Sequence, residues 1–448
     1  MVQGLALSSP LNALQDLSDL DAYRLFRHEV EKSENKLRLS KTRFFLDAIR
    51  IRGSVLHRIW VSVLGITLYA TVIAAADVWY GMHWRTSNSI IAPLSVVVGL
   101  LIVFRNSTSY DRWWAGSGEL NAAMADTRSL SRFIWVNVDV EAGEKMKKLK
   151  QDAEKSGIDA GATHAVEKLR QERMARKRRV IRLLVCYLYA TKHHLRQEYG
   201  VEFADYEGVL PQDVRQAYYV LQRRSREHFR RSIHSKQADA RPASQASAAV
   251  ERDNYTPITS VIFQDENAAV AAAAAQATET TPLTASEVEE EKEHSKQPAI
   301  ALPLFCLHQI TMYLSGARRA GLLTNDAGPA GFSLSNQLIN SLTTHFFNMQ
   351  RIADTPLPAI YGIHLKQCVL LYLLALPLTL VSELSWRMIP VVTIVAFTMI
   401  GTEGLSSEVE MPFGHDPSDH NLDLLAATVR HELEHMMLFL DEGIKEES

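Results

Sequence analysis

Cysteine is scarce in this chain of 448 residues: Cys186, Cys306 and Cys368, odd in number and widely spaced. That spacing excludes a disulfide framework and any zinc site built on cysteine. Charge of one sign is also missing, since 48 Lys and Arg stand against 51 Asp and Glu for a net of -3. Global charge therefore gives no electrostatic case for nucleic acid as a partner. No glycine-rich phosphate loop occurs, and neither a G-x-S-x-G nor a Cys–His constellation. The polar stretch Met1–Asn35 lacks the pattern of a secretory signal. Hydrophobic residues reach 47%, yet mean hydropathy is only -0.08. The average hides a split chain, with concentrated apolar runs around a long polar middle.

Four apolar runs stand in two pairs. Ile59–Ala76 and Ile90–Phe104 carry no charge, and a short polar loop with Trp79, Tyr80 and Trp84 separates them. Tyr361–Val381 is interrupted only near its start by His364, Lys366 and Gln367, and Met388–Gly401 follows after the link Ser382–Arg387. A spanning helix needs ~20 mostly apolar residues. The first run qualifies once Val55 and Leu56 are added. The others are short, but their pairing through tiny outer loops and the flanking Trp60, Tyr80, Trp84 and Trp386 predict membrane hairpins. Basic residues set the orientation. Lys41, Arg43, Arg50, Arg52 and Arg58 precede the first run, Arg105, Arg112, Arg128 and Arg132 follow the second, and the loop between has only Arg85. The positive-inside rule then places both termini and the stretch Arg105–Pro358 in the cytoplasm.

The polar middle reads as charged helix over Leu130–Gln237, with no proline before Pro211. Its basic cluster RMARKRRVIR (173–182) has two readings: a surface for anionic headgroups, or a helix face paired with nearby acids. From Ala238 to Gln297 the composition collapses into Ala, Ser, Thr, Gln and Glu, which predicts a disordered insert. Helical periodicity resumes at Ala299 and runs to Ile352. HELEH (431–435) matches the H-E-x-x-H zinc pattern, but on a charged amphipathic helix with little chain left for a third ligand it predicts a solvated helix face.

The polar residues at the ends of the apolar runs demand more explanation. FRNSTSYDRWW (104–114) runs straight out of the second and places Arg105, Asn106, Tyr110, Asp111 and Arg112 at the membrane face. These residues form either an interfacial girdle or the flank of an ion path. After the fourth run, Glu403, Glu408, Glu410, Asp416 and Asp419 gather around a Pro-Phe-Gly turn. Hard oxygens on an irregular loop can hold calcium, although acidic turns are commonly just solvated.

Together these segments resemble the bestrophin family of anion channels, in its fungal and bacterial branch. RGSVLHRIW (52–60) resembles the approach to the family's first span, and LLIVFRNSTSYDRWWAG (100–116) is the most specific match. TPLPAIYGIHLK (355–366) and EVEMPFGHDPSDHNLDLL (408–425) resemble the segments before the third span and after the fourth. The resemblance covers roughly 40–135 and 300–440, in order. It implies an all-α homopentamer around a central pore for small anions, with four transmembrane helices per subunit and a large helical cytoplasmic region. The expected organisation is an N-terminal segment 1–54, spans at 55–76, 88–104, 359–382 and 387–402, cytoplasmic helices at 105–237 and 299–358, an insert at 238–298 and a C-terminal segment 403–448.

By resemblance, the narrow neck falls on Ser89, Pro93 and Val97, or with a one-residue gap on Ile90, Leu94 and Val98. The deeper aperture falls on Ile339, in the apolar stripe of Leu334–Phe347, where the alternative is a simple core residue. Animal members hold calcium around the acidic turn. Here Asp416 and Asp419 match and Glu408 stands at a polar ligand position, but Met411 replaces a ligand, so calcium is possible and no cofactor is certain. The expected function is passive conduction of chloride or a similar anion, with no enzyme activity. The rivals are a solute or proton carrier using His364, Lys366 and Glu383, and a non-conducting scaffold.

Overall fold

The computed structural model describes residues 53–81, 89, 91–155, 160–239, 300–323 and 328–439, with five isolated positions between 24 and 31. The insert expected at 238–298, beyond its first two residues, and most of the N-terminal segment lie outside the described residues. The described chain is all-helical, with a single isolated β-bridge between Val138 and Leu323. Its helices are α1 (Leu56–Tyr80), α2 (Ile91–Asn137), α3 (Glu144–Lys155), α4 (Ala160–Leu195), α5 (Gln212–Asp239), α6 (Leu302–Arg319), α7 (Gly328–Asp354), α8 (Ala359–Leu384), α9 (Met388–Val409) and α10 (Leu422–Phe439).

Among the described residues three stretches are long and apolar enough to cross a membrane: α1, α2, and α8 with α9 taken together. The helix that carries the second apolar run does not end at Phe104. It continues as one helix of 47 residues, because nothing between Pro93, near its start where proline is tolerated, and Asn137 interrupts the backbone hydrogen bonds. Between α8 and α9 the chain turns through a short 3₁₀ segment, Ser385–Arg387, where Ser385 takes the left-handed backbone (φ 45°).

The contacts divide the chain into two compact units. One comprises 26–123 and 344–425. Its core is the packing of α1, α8 and α9, through Ile66, Ala70, Ile73 and Ala74 against Val369, Leu373, Val392 and Ala396. The driving force between apolar helices in lipid is close packing, so small residues and hydroxyls matter. Thr67 and Thr393 hydroxyls meet at 2.9 Å, and Tyr69 donates to the Leu374 carbonyl at 3.3 Å. Gly404 on α9 lets α1 come close: a Cβ there would sit 2.8 Å from Val55 Cγ1 and 3.2 Å from Ile59 Cγ2.

The other unit comprises 124–343 with the residues at either terminus. The second half of α4 buries Ile181, Leu184, Cys186, Tyr187 and Tyr189, and α6 buries Phe305, Cys306, Ile310 and Leu314. Hydrogen bonds fix this core: Tyr187 donates to the Leu342 carbonyl at 2.7 Å and Tyr218 to the Ile300 carbonyl at 3.1 Å. Burial pushes the Tyr218 phenol up to about 12. At the end of α4, a hydrogen bond to His193, with Lys192 beside it, holds Asp205 well below the usual carboxylate range.

A side chain at position 404 should act directly on the α1–α9 contact. Gly404→Val is expected to lower stability by about 1–3 kcal/mol through overpacking. A thermal unfolding curve in detergent identical to the parent's would show that the helices separate freely there.

Candidate pore-flanking site

The site is built around the middle of α2. Beyond Phe104 the helix turns polar, and its residues sort by face. Arg105 is nearly enclosed, with 11% of its side chain exposed, and its Nη2 lies 2.5 Å from Oε2 of Glu410, itself 10% exposed. The other Glu410 oxygen accepts the backbone N–H of Leu357 at 2.8 Å. One turn of helix or two further on, Arg112 donates to the carbonyls of Ile352 (2.6 Å), Thr355 (2.8 Å) and Glu410 (3.3 Å). Those three carbonyls lie at the ends of α7 and α9, where helix C-termini leave acceptors unsatisfied and attract cations. Two arginines of the signature thus bind α2 to the end of α9 and to the link between α7 and α8. They are latches: Arg112 commits its donors to backbone carbonyls, and Arg105 holds Glu410 through Nη2 while its Nε and Nη1 are buried without a hydrogen-bond partner.

The neighbouring positions complete the seam. Asn106 Oδ1 accepts the Ser406 hydroxyl at 3.2 Å, and Trp113 Nε1 donates to the Ser418 carbonyl at 3.3 Å. The His420 ring packs on Trp113 with centroids 4.5 Å apart. Gly116 admits Phe413, whose Cζ would lie 3.0 Å from an added Cβ. Tyr110, Asp111 and Trp114 are exposed, and Tyr110 stacks on Trp113 and Trp114.

The apolar half of α2 is the least covered of the three candidate spans. Only 11% of its membrane-length stretch is buried, against 28% for α1 and 39% for α8–α9. Ser89, Pro93 and Val97 are all exposed, Val97 by 54%. In the alternative register Leu94 is half-buried and Val98 is 1% exposed, packed in the unit's core. Ile339 is 6% exposed, and Leu342 and Phe346 on the same helix are fully buried. Exposed positions of the same helix include Leu334, Gln337, Asn340, Thr344 and Phe347.

The acidic turn is neutralised from within. Asp419 Oδ2 accepts the Asp416 backbone N–H at 2.8 Å, and Glu408 Oε1 accepts the Ser418 hydroxyl at 2.8 Å. Arg58 lies 3.8 Å from Glu408 and 3.9 Å from Asp416. Among the described residues no group of three His, Cys, Asp or Glu gathers to hold a metal ion. The HELEH glutamates are likewise taken, Glu432 by Arg128 at 2.5 Å and Glu434 by Arg182 at 3.1 Å. Burial and the adjacent His435 hold His431 below its ordinary pKa. Of the residues a carrier would use, Lys366 lies 3.5 Å from Glu403. His364 and Glu383 stand near opposite ends of α8, roughly 28 Å apart at 1.5 Å per residue, too far for one continuous relay.

Glu410 is the residue that sequence reasoning undervalued, as one of five carboxylates near a turn. Its partner lies 305 positions away, and no spacing rule pairs such residues.

Apolar membrane-length helices and polar latches beside them define an all-helical membrane protein. The family model for Bacterial/Fungal Bestrophin protein matches residues 36–252 and 266–435, and the chain belongs to that family. It is 26% identical over 400 residues to a voltage-dependent anion channel-forming protein of Nostoc, covering 88% of this chain and 92% of that one. A protein of the same description from Synechocystis is 25% identical over 390 residues, covering 87% and 90%. Among solved structures, a bacterial bestrophin homolog from Klebsiella pneumoniae shares the fold with a TM-score of 0.52 at 17% identity, over 85% of this chain and 98% of that one.

Removing the negative charge from the latch should be costly, because Arg105 would be left buried without its counter-charge. Glu410→Gln is expected to destabilise by about 3–5 kcal/mol, while the paired change Arg105→Met with Glu410→Leu recovers much of the loss. Equal melting temperatures for parent and Glu410→Gln would show that the pair carries no structural weight.

Proposed function

We propose that this chain is one subunit of an anion-selective channel that conducts chloride or a similar anion passively. The observation that carries the reading is the face of α2 bearing Pro93 and Val97, with exposed Ser89 just ahead of the helix, apolar or neutral, free of acidic residues and left uncovered by the chain's own helices. In a membrane such a face meets either lipid or another helix. Several copies around one axis would bring these faces together as a narrow neck that an anion crosses partly dehydrated. The related proteins named as anion channel-forming, at near-full coverage, support the same reading.

The finer architecture follows from that proposal. Four spans per subunit result if α8 and α9 cross separately, turning at Ser385–Arg387. Closed cyclic symmetry gives a homopentamer, the assembly implied by the family resemblance. Arg105, Arg112, Arg128 and Arg132 support an orientation with the polar end of α2 and both termini in the cytoplasm. Calcium is left out of the proposal, since an ion at Glu408, Asp416 and Asp419 would have to displace Arg58 and the Asp416 amide. A deeper constriction is placed on α7; at Ile339 it requires the helix to turn that side chain out of its core.

Purified protein in planar bilayers tests the central reading. Single-channel steps reversing near the chloride potential are expected; slow saturable flux would replace the channel by a carrier, and silence by a scaffold. Substitution on the two candidate constrictions separates their roles. Val97→Ala should change relative anion permeability with assembly intact. Ile339→Ala should cost ~2–5 kcal/mol of stability without altering selectivity, as a core truncation does. Altered selectivity in a stable Ile339→Ala assembly would return Ile339 to the aperture.

A further inference from the structure

A cavity of about 630 Å³ lies in the unit that contains α4 and α5, apart from any residue used above for conduction. Its size falls within the range of small-molecule sites. One wall is a single face of α4, where Ala175, Arg179 and Arg182 follow at helical spacing. A second is the first turn of α5, with Pro211, Gln212 and Arg215, and the helix opens with the Arg215 amide bonded to the Pro211 carbonyl at 3.0 Å. The third is the loop from Glu202 to Leu210.

The charges of these walls differ in kind. Arg179 is paired with Asp213 and Arg182 with Glu434, so each keeps only part of its donor capacity. Arg215 pairs with no carboxylate among the described residues, and its Nε is buried without a hydrogen-bond partner. Behind the loop stands Arg430, 5% exposed, which donates to the Glu207 carbonyl at 3.3 Å and touches Gly208. Gly208 makes that approach possible, at φ 71°. The positive end of the α5 dipole adds to the same side. The loop, by contrast, supplies the carboxylates of Glu202, one oxygen of which accepts the Tyr219 hydroxyl, and Glu207 beside Phe203.

We propose that this cavity binds a phosphorylated polyol, its phosphate held by Arg179, Arg182 and Arg215 at the start of α5 and its hydroxyls donating to Glu202 and Glu207. Guanidinium groups match phosphate oxygens in a fork geometry, and carboxylates accept from hydroxyls but repel phosphate. The two kinds of wall therefore select a molecule with both groups. The same chemistry is offered by a free sugar or inositol phosphate and by a phosphoinositide headgroup. Arg179 and Arg182 belong to the basic cluster 173–182, two other members of which are engaged internally: Arg173 binds the Val140 and Ala142 carbonyls, and Lys177 is buried over the Trp135 ring. The inference does not depend on the chain being a channel.

Calorimetric titration of the full-length protein in detergent with inositol trisphosphate, alongside co-flotation with vesicles carrying a phosphoinositide, tests it. Saturable binding is expected, weakened about tenfold or more by Arg215→Gln, in line with the loss of one charge-assisted hydrogen bond. Ala175→Glu, at an exposed position of the α4 wall where folding is undisturbed, should abolish it by placing a negative charge in the cavity. Arg223→Gln, on α5 outside the cavity and paired with Glu227, should leave it unchanged. Binding of the soluble probe lost in both cavity variants assigns a free ligand, and binding of vesicles alone, lost in the same variants, assigns a headgroup. No binding of either probe, or binding equal in parent and Ala175→Glu, overturns the proposal.

Discussion

Arg105 and Glu410 meet where α2 leaves its apolar stretch, and each is about nine-tenths enclosed. Two charges in that setting tolerate no substitute solvent, so each must be met by protein groups or the fold gives way. The requirement spreads outward. Glu410 can face Arg105 only if α9 ends where it does, and its second oxygen then fixes the Leu357 amide before α8 begins. Arg112 closes the same junction from the carbonyl side. Three separate pieces of chain are thus set in one arrangement by a handful of polar contacts, in a region where apolar packing alone has little directional preference.

This seam leaves one surface of α2 engaged and the other bare. Val98 and Ile102 turn into the core of their unit, while Val96, Val97, Leu100, Val103 and Phe104 remain uncovered. A helix apolar on all sides is at home only when every side meets lipid or protein. The latch therefore does more than stabilise a subunit: it decides which side of α2 is offered to whatever lies beyond.

Much of the fold was legible because its signals are local. Uninterrupted apolar runs, their short links and the turn at Pro412–Gly414 need no knowledge of distant chain. The string from Phe104 to Trp114 carried the family resemblance, and the family match confirmed it. Partnerships were not legible. In Leu334–Phe347 the sequence offers an apolar stripe wider than one contact surface, and the structure divides it: Ile339, Leu342 and Phe346 go inward, Leu334 and Phe347 outward. An apolar residue facing its own core and one facing another surface look alike in sequence. The acidic turn hides its partner for a related reason, since the cation beside Glu408 and Asp416, Arg58, comes from some 350 positions earlier.

Arg58 has a further consequence. It sits 3.8–3.9 Å from its two carboxylates with about half its side chain exposed, whereas Arg105 holds Glu410 at 2.5 Å away from solvent. Dissolved ions screen the first pair over a Debye length of about 8 Å at physiological strength and scarcely reach the second. Salt therefore loosens the tie between the start of α1 and the turn after α9 while the seam on α2 holds. The molecule has one joint that responds to the ionic strength around it, set close to another that does not.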